Sequence, residues 1–268
     1  MGMIISSLLY GVLCFWLIVP FPGLAQGEEE SEKNNPKTEP KEIYEPEKRY
    51  YGVKEDGQNT SKEAEMPIYR PPMRGAPAGR LAGGSRGNAK ESPSICALAP
   101  DHVGLTVKEQ PCLYWFLSKR TELPVVFTLI EVQAIAPLLE EQIPCPEKPG
   151  IQGISLKSFG IRLKKGVRYE WFVSLVPEPE QRSKDDIAMG VIERLESSKS
   201  LEADLSGIEM ARHSFIYAEH GFWYDALEAI SDLIESNPDY FALRRIRASL
   251  LEQVGLGRVA QYDMDAHE

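Results

Sequence analysis

From Arg168 to Val176 apolar and polar residues alternate, with Tyr169, Trp171, Val173 and Leu175 on one side and Glu170, Phe172 and Ser174 on the other. A period of two with aromatic and β-branched content predicts a strand on a half-buried surface. Just before it, Leu163, Gly166 and Tyr169 have the spacing of a tyrosine corner, in which a tyrosine near a strand start bonds the backbone of the crossover leading into it. Further alternating or short apolar runs predict strands over 103–107, 111–117, 125–132, 153–158 with 161–163, and 187–194. Turn-forming residues separate them at 119–124, 144–150 and 164–166, a spacing that suits packed antiparallel sheets.

Past residue 200 the period becomes helical. Leu201, Leu205, Ile208, Ala211, Phe215 and Ala218 form one stripe, and Gly221 suits a left-handed helix end. A second helix over 222–236 turns Ala226, Leu227, Ile230, Leu233 and Ile234 inward. Asn237 and Pro238 supply an N-cap and a first-turn proline for a third, which buries Phe241, Leu243, Ile246, Leu250 and Val254 and ends at Gly255. The block over 221–238 looks like the second half of a tetratricopeptide repeat. The expected fold class is therefore α+β: an immunoglobulin-like or fibronectin type III-like antiparallel β-sandwich over 94–195, then a small α-helical, single tetratricopeptide-like segment of three helices over 200–258.

The chain upstream changes character three times. Residues 1–25 are apolar, with Gly23 and Ala25 at the −3 and −1 positions of a small-residue cleavage site, which predicts a signal peptide and export to the periplasm or medium. The alternative is an uncleaved membrane anchor, the one way a membrane enters this picture. Residues 26–67 hold twelve acidic against seven basic residues and little apolar content, which predicts a disordered acidic linker. Residues 68–93 are rich in Gly, Pro and Arg. Here Arg70, Arg74, Arg80 and Arg86 form either a basic strap for an anionic partner such as a polysaccharide or an extended leader that docks on its own acidic protein. The net charge of −10 argues against a nucleic-acid partner.

Candidate chemistry is sparse. Cys96 and His102 are the one thiol–imidazole pair close in sequence, with no third group to orient them. His213 and His220 lie two helical turns apart, where metal-binding pairs sit on adjacent turns. Glu178, Glu180, Asp185 and Asp186 share a hairpin loop that provides neither a fixed carboxylate separation nor a calcium-loop glycine. Gly83 to Gly87 lacks the strand–helix context of a phosphate loop. Outside Cys14 in the leader, Cys96, Cys112 and Cys145 permit three disulfide pairings that spacing does not choose between. No catalytic residue, cofactor site or metal site is expected. Phe222, Trp223 and Tyr224 offer the best contact surface, since three consecutive aromatics at a helix start do not all face one core; the alternative is that they wedge the helical segment onto the sandwich. Trp223 and Tyr224, with the four arginines, are the candidate partner-binding residues.

In order and spacing, the motifs RPPMRGAPAGRLAGGSRG, CALAPDHVGLTV, PCLYWFL, LKKGVRYEWFVSLV, QRS at 181–183 and YAEHGFWYDALEAISDL resemble the cyanobacterial family catalogued as domain of unknown function 928, over roughly 71–256. The resemblance implies an exported protein and carries over no catalytic residues. It also implies a cysteine at the end of the Tyr169 strand that could pair with Cys96; in this chain Val176 and Pro177 stand there. The expected function is that of an exported, non-enzymatic binding or scaffolding protein of the cell envelope, whose partner is an envelope protein or polysaccharide. The alternatives are an anionic-polymer-binding module or an envelope hydrolase.

Overall fold

The computed structural model describes residues 65–72 and 92–265. The expected signal peptide, almost all of the acidic linker, and Arg74, Arg80 and Arg86 lie outside the described residues. Eight strands come first: β1 (Ile95–Ala97), β2 (Gly104–Thr106), β3 (Cys112–Leu117), β4 (Val125–Glu131), β5 (Leu139–Ile143), β6 (Gly150–Ser155), β7 (Arg168–Leu175) and β8 (Asp186–Arg194). Five helices follow: α1 (Lys199–Leu205), α2 (Met210–Glu219), α3 (Trp223–Ser236), α4 (Phe241–Gln253) and α5 (Gly257–Asp265). The class is α+β, with a three-stranded sheet in the order β1-β3-β6 and a five-stranded one in the order β2-β8-β7-β4-β5. The first is antiparallel. The second is mixed, because β2 runs parallel to β8 with Gly104 opposite Ile192, which corrects the all-antiparallel expectation.

The alternation in β7 does what its period requires. Tyr169, Trp171, Val173 and Leu175 are buried, opposite the Val125, Phe127 and Leu129 face of β4. The Lys164 backbone N–H donates to the Tyr169 hydroxyl oxygen at 3.2 Å, and Gly166 takes φ +71°, which a residue with a side chain adopts at a cost. The anticipated corner is therefore in place, and it starts β7 in fixed register. Strand ends differ from expectation in physically simple ways. Residues 156–159 form a 3-10 turn ending at the left-handed Gly160, so β6 stops at Ser155. β5 is an additional edge strand with Glu140 and Glu141 exposed.

The helical segment holds five helices, not three. The 200–220 stripe breaks after α1, where Gly207 adopts φ +73°, and Ile208 lands in the loop, exposed. Asn237 caps the end of α3, its side-chain amide donating to the Leu233 carbonyl at 3.1 Å, and does not open the next helix. Helix α5 lies beyond the expected stop at Gly255 and buries Val259, Ala260 and Asp263. The buried faces of α2, α3, α4 and α5 join both sheets in one core.

Candidate functional site

Helix α3 begins inside the protein. Its first two side chains, Trp223 and Tyr224, are fully buried, and Phe222 ahead of them is nearly so. The Trp223 indole N–H donates to the Leu98 carbonyl at 2.9 Å. The Trp171 indole N–H donates to the Tyr224 hydroxyl at 2.9 Å, and that hydroxyl donates to the Val191 carbonyl at 3.0 Å. Glycine makes room for the rings: a Cβ on Gly104 would sit 2.5 Å from the Tyr224 ring, and one on Gly190 2.7 Å from the Trp171 indole. The expectation of a partner surface at Trp223 and Tyr224 is thus corrected, since both rings weld the helices to the sheets. Tyr224→Phe removes the hydroxyl from both bonds, and two buried polar groups lose a partner. Urea denaturation is expected to show a loss of about 2–3 kcal/mol in unfolding free energy.

Arg70 is held in cis. Its guanidinium Nη2 lies 3.0 Å from the Glu219 carboxylate while the side chain stays 64% exposed. The other expected reactive groups have separate structural partners. His102 sets Nε2 at 2.9 Å from the Tyr69 hydroxyl and Nδ1 at 3.3 Å from Asp101, while the Cys96 thiol donates to the Ala97 carbonyl. His213 meets the Ile208 carbonyl and His220 meets Asp204. Cys145 donates to the Thr121 carbonyl at 2.9 Å. Burial pushes the Cys112 thiol up to about 12, far from a thiolate nucleophile at neutral pH. In the β7–β8 loop Arg182 bonds Asp185 at 2.6 Å and Lys184 bonds Glu178 at 2.6 Å. Burial first, then the Asp185 charge, raises the Asp186 carboxyl from its ordinary value. Among the described residues no group of three or more His, Cys, Asp or Glu side chains is placed to hold a metal ion.

The apolar surface lies elsewhere, at the turn between β4 and β5. Val132, Ala134, Ile135, Ala136, Pro137 and Leu138 are all exposed, with Ile135 at 105% and Leu138 at 54%. The turn is nonetheless built. Val132 N–H donates to the Arg168 carbonyl at 2.9 Å, Ala134 N–H to the Glu131 carbonyl at 2.8 Å, and Leu138 N–H to the Leu129 carbonyl at 2.8 Å. Ion pairs border it, Lys164 with Glu131 at 3.3 Å and Arg182 with Glu140 at 3.6 Å. Seven consecutive residues without a charge, apolar but for Gln133, stand on this hydrogen-bonded hairpin tip, and that composition makes it the candidate contact surface. Periodicity does not reveal them, because period marks only residues that face a core; the run Ala134 to Leu139 itself was the signal.

Among curated proteins no match is found. The family model described as Domain of Unknown Function (DUF928) matches residues 81–264, a span that takes in both sheets and nearly all of α5, and the chain belongs to that family.

Proposed function

We propose that this is an exported, non-catalytic binding or scaffolding protein of the cell envelope. The observation that carries the reading is the β4–β5 hairpin tip, where Ile135 stands fully in solvent on a turn held by backbone hydrogen bonds. A folded chain keeps such an apolar tip at a cost in solubility, which a partner surface offsets. The commitment of His102, His213, His220, Glu178 and Asp185 to structural partners favours binding over hydrolysis. The small-residue spacing of Gly23 and Ala25 after an apolar run supports export.

The finer fold reading belongs with this proposal. We assign the two sheets an immunoglobulin-like topology in which β1, β3 and β6 stand for strands A, B and E, and β2, β8, β7, β4 and β5 for A′, G, F, C and C′. The strand order, the A′ strand parallel to G, and the tyrosine at the start of F support it. The α2–α3 pair, with Gly221, Ala226, Ile230 and Pro238 at the repeat's places, supports a tetratricopeptide-like unit.

The test is affinity capture from native envelope extract with the mature chain and with an Ile135→Glu, Leu138→Glu variant of unchanged thermal stability. A partner retained by the native chain and lost with the variant is the expected result. Recovery of both forms without a specific partner would remove the scaffold reading.

A further inference from the structure

Residues 65–72 lie far in sequence from everything they touch, and they are bound the way an extended peptide is bound. The Gln253 side-chain amide brackets the segment: Nε2 donates to the Pro67 carbonyl at 2.9 Å, and Oε1 accepts the Tyr69 N–H at 2.8 Å. Reading a carbonyl and an N–H two residues apart is what a neighbouring strand does in β-augmentation. The Arg70 N–H then donates to the Ala218 carbonyl at 3.0 Å, near the end of α2. The Tyr69 ring is the anchor, 7% exposed. It stacks on His102 with ring centroids 5.9 Å apart and meets the Trp223 edge-on at 5.2 Å. Charges at both ends set direction, Glu65 on Arg212 at 2.7 Å and Arg70 on Glu219 at 3.0 Å. Gly221 lets the backbones approach: a Cβ there would sit 2.7 Å from the Arg70 carbonyl oxygen.

We propose that this groove is a recognition site for an extended Pro-Ile-Tyr-Arg segment, that residues 65–72 are its built-in occupant, and that the same segment of a second copy of this chain is the partner it accepts in trans. One aromatic anchor, two backbone readings and two oppositely charged ends are the elements of a peptide site. Packing alone does not require the backbone readings. The chemistry that fits the groove is by construction present on every other copy. The built-in occupant belongs to the same chain as the groove, and covalent linkage gives it a roughly millimolar effective concentration. Occupation in cis therefore prevails at micromolar protein, and exchange between copies requires crowding or release of the strap. This site and the β4–β5 hairpin tip use different elements, so either can fail without the other.

The experiment uses the full chain and a fluorescent peptide of residues 63–74. Fluorescence anisotropy is read for the native chain, for a Tyr69→Ala, Arg70→Ala variant that vacates the groove, and for that variant carrying Gln253→Ala. The vacated chain is expected to bind the peptide at least tenfold more tightly than the native chain. Gln253→Ala is expected to return most of that gain, and a peptide with alanine in place of its tyrosine is expected not to bind. If Tyr69→Ala loses its cooperative thermal transition, Arg70→Glu takes its place: it sets a carboxylate against Glu219 and leaves the buried ring intact. No saturable binding to a folded vacated chain, or equal binding of a scrambled peptide, would overturn the proposal.

Discussion

Asp263→Ala is expected to lower the unfolding free energy by about 3–5 kcal/mol, the cost of stranding a buried charge. Asp263 on α5 is the anion for two arginines of α4. Arg247 reaches it twice, Nε to Oδ2 at 2.8 Å and Nη2 to Oδ1 at 2.5 Å, and Arg244 Nη1 reaches Oδ1 at 3.0 Å. The third Arg247 nitrogen donates to Ser231 Oγ on α3 at 3.2 Å, so one guanidinium ties three helices. The Arg247 and Asp263 side chains are 7% and 4% exposed. Water therefore does not replace the lost carboxylate, and the remaining charge is desolvated without compensation. The pair itself contributes little net stability, because desolvating both ions offsets most of their attraction. A double variant, Arg247→Met with Asp263→Leu, is accordingly expected to recover most of the loss. Urea denaturation of the single and double variants checks both statements, and equal loss in the two would mean that packing, not charge, sets the cost.

That network was not legible in the sequence, for a reason that applies to the whole helical segment. Gly255 has the form of a terminal stop, and it does end a helix, with φ +76°. The chain then turns into α5, whose two short apolar residues, Val259 and Ala260, make a stripe too thin to announce a helix. The α1–α2 break was hidden in the opposite way, since the apolar stripe runs through Gly207 as though the helix did. Strands were legible where one face is buried and the other is not, as in β4 and β7. They were not in the edge strand β5, where Glu140, Glu141 and Gln142 interrupt the apolar Leu139 and Ile143, or in β1, whose three residues are too few to show a period. The three aromatics at 222–224 show the limit of facing arguments. A helix start on a surface has one inward direction, but the start of α3 is enclosed by both sheets, so Trp223 turns to Leu98 while Tyr224 turns to Trp171 and Val191. Of the candidate site, composition disclosed the Arg70 segment and its alternative docking on the chain itself. The exposed hairpin tip and the Gln253 bracket depend on tertiary placement that local pattern does not carry.

The pH dependence of stability should be dominated by a second buried carboxylate, Asp225, in the first turn of α3. It is fully buried. Its Oδ2 accepts the Val107 N–H at 3.1 Å, and its Oδ1 has no hydrogen-bond partner. Burial raises it from 3.8 to about 7, against the opposing pull of Lys108, Thr106 and the Val107 N–H, with Glu228 adding a little in the same direction as burial. Lys108 does not cancel the burial because its ammonium is shared with Glu228, at 2.9 Å. The folded value thus lies above the unfolded one, and the native state binds the more protons between them. The stabilising contribution is complete below about pH 4 and is lost as pH rises through about 7, with a slope of at most about 1.4 kcal/mol per pH unit. Glu65, Glu109 and Glu196 are shifted the other way, each first by a hydrogen bond from a basic side chain, so the raw profile mixes opposite slopes. Asp225→Asn isolates the term: it keeps a carbonyl to accept the Val107 N–H and removes the ionisation. Urea midpoints at pH 4.5, 6 and 8 are expected to converge at the acid end and to favour the variant progressively toward pH 8. Parallel profiles would mean that Asp225 is ionised throughout and that a buried solvent molecule, not a proton, satisfies Oδ1.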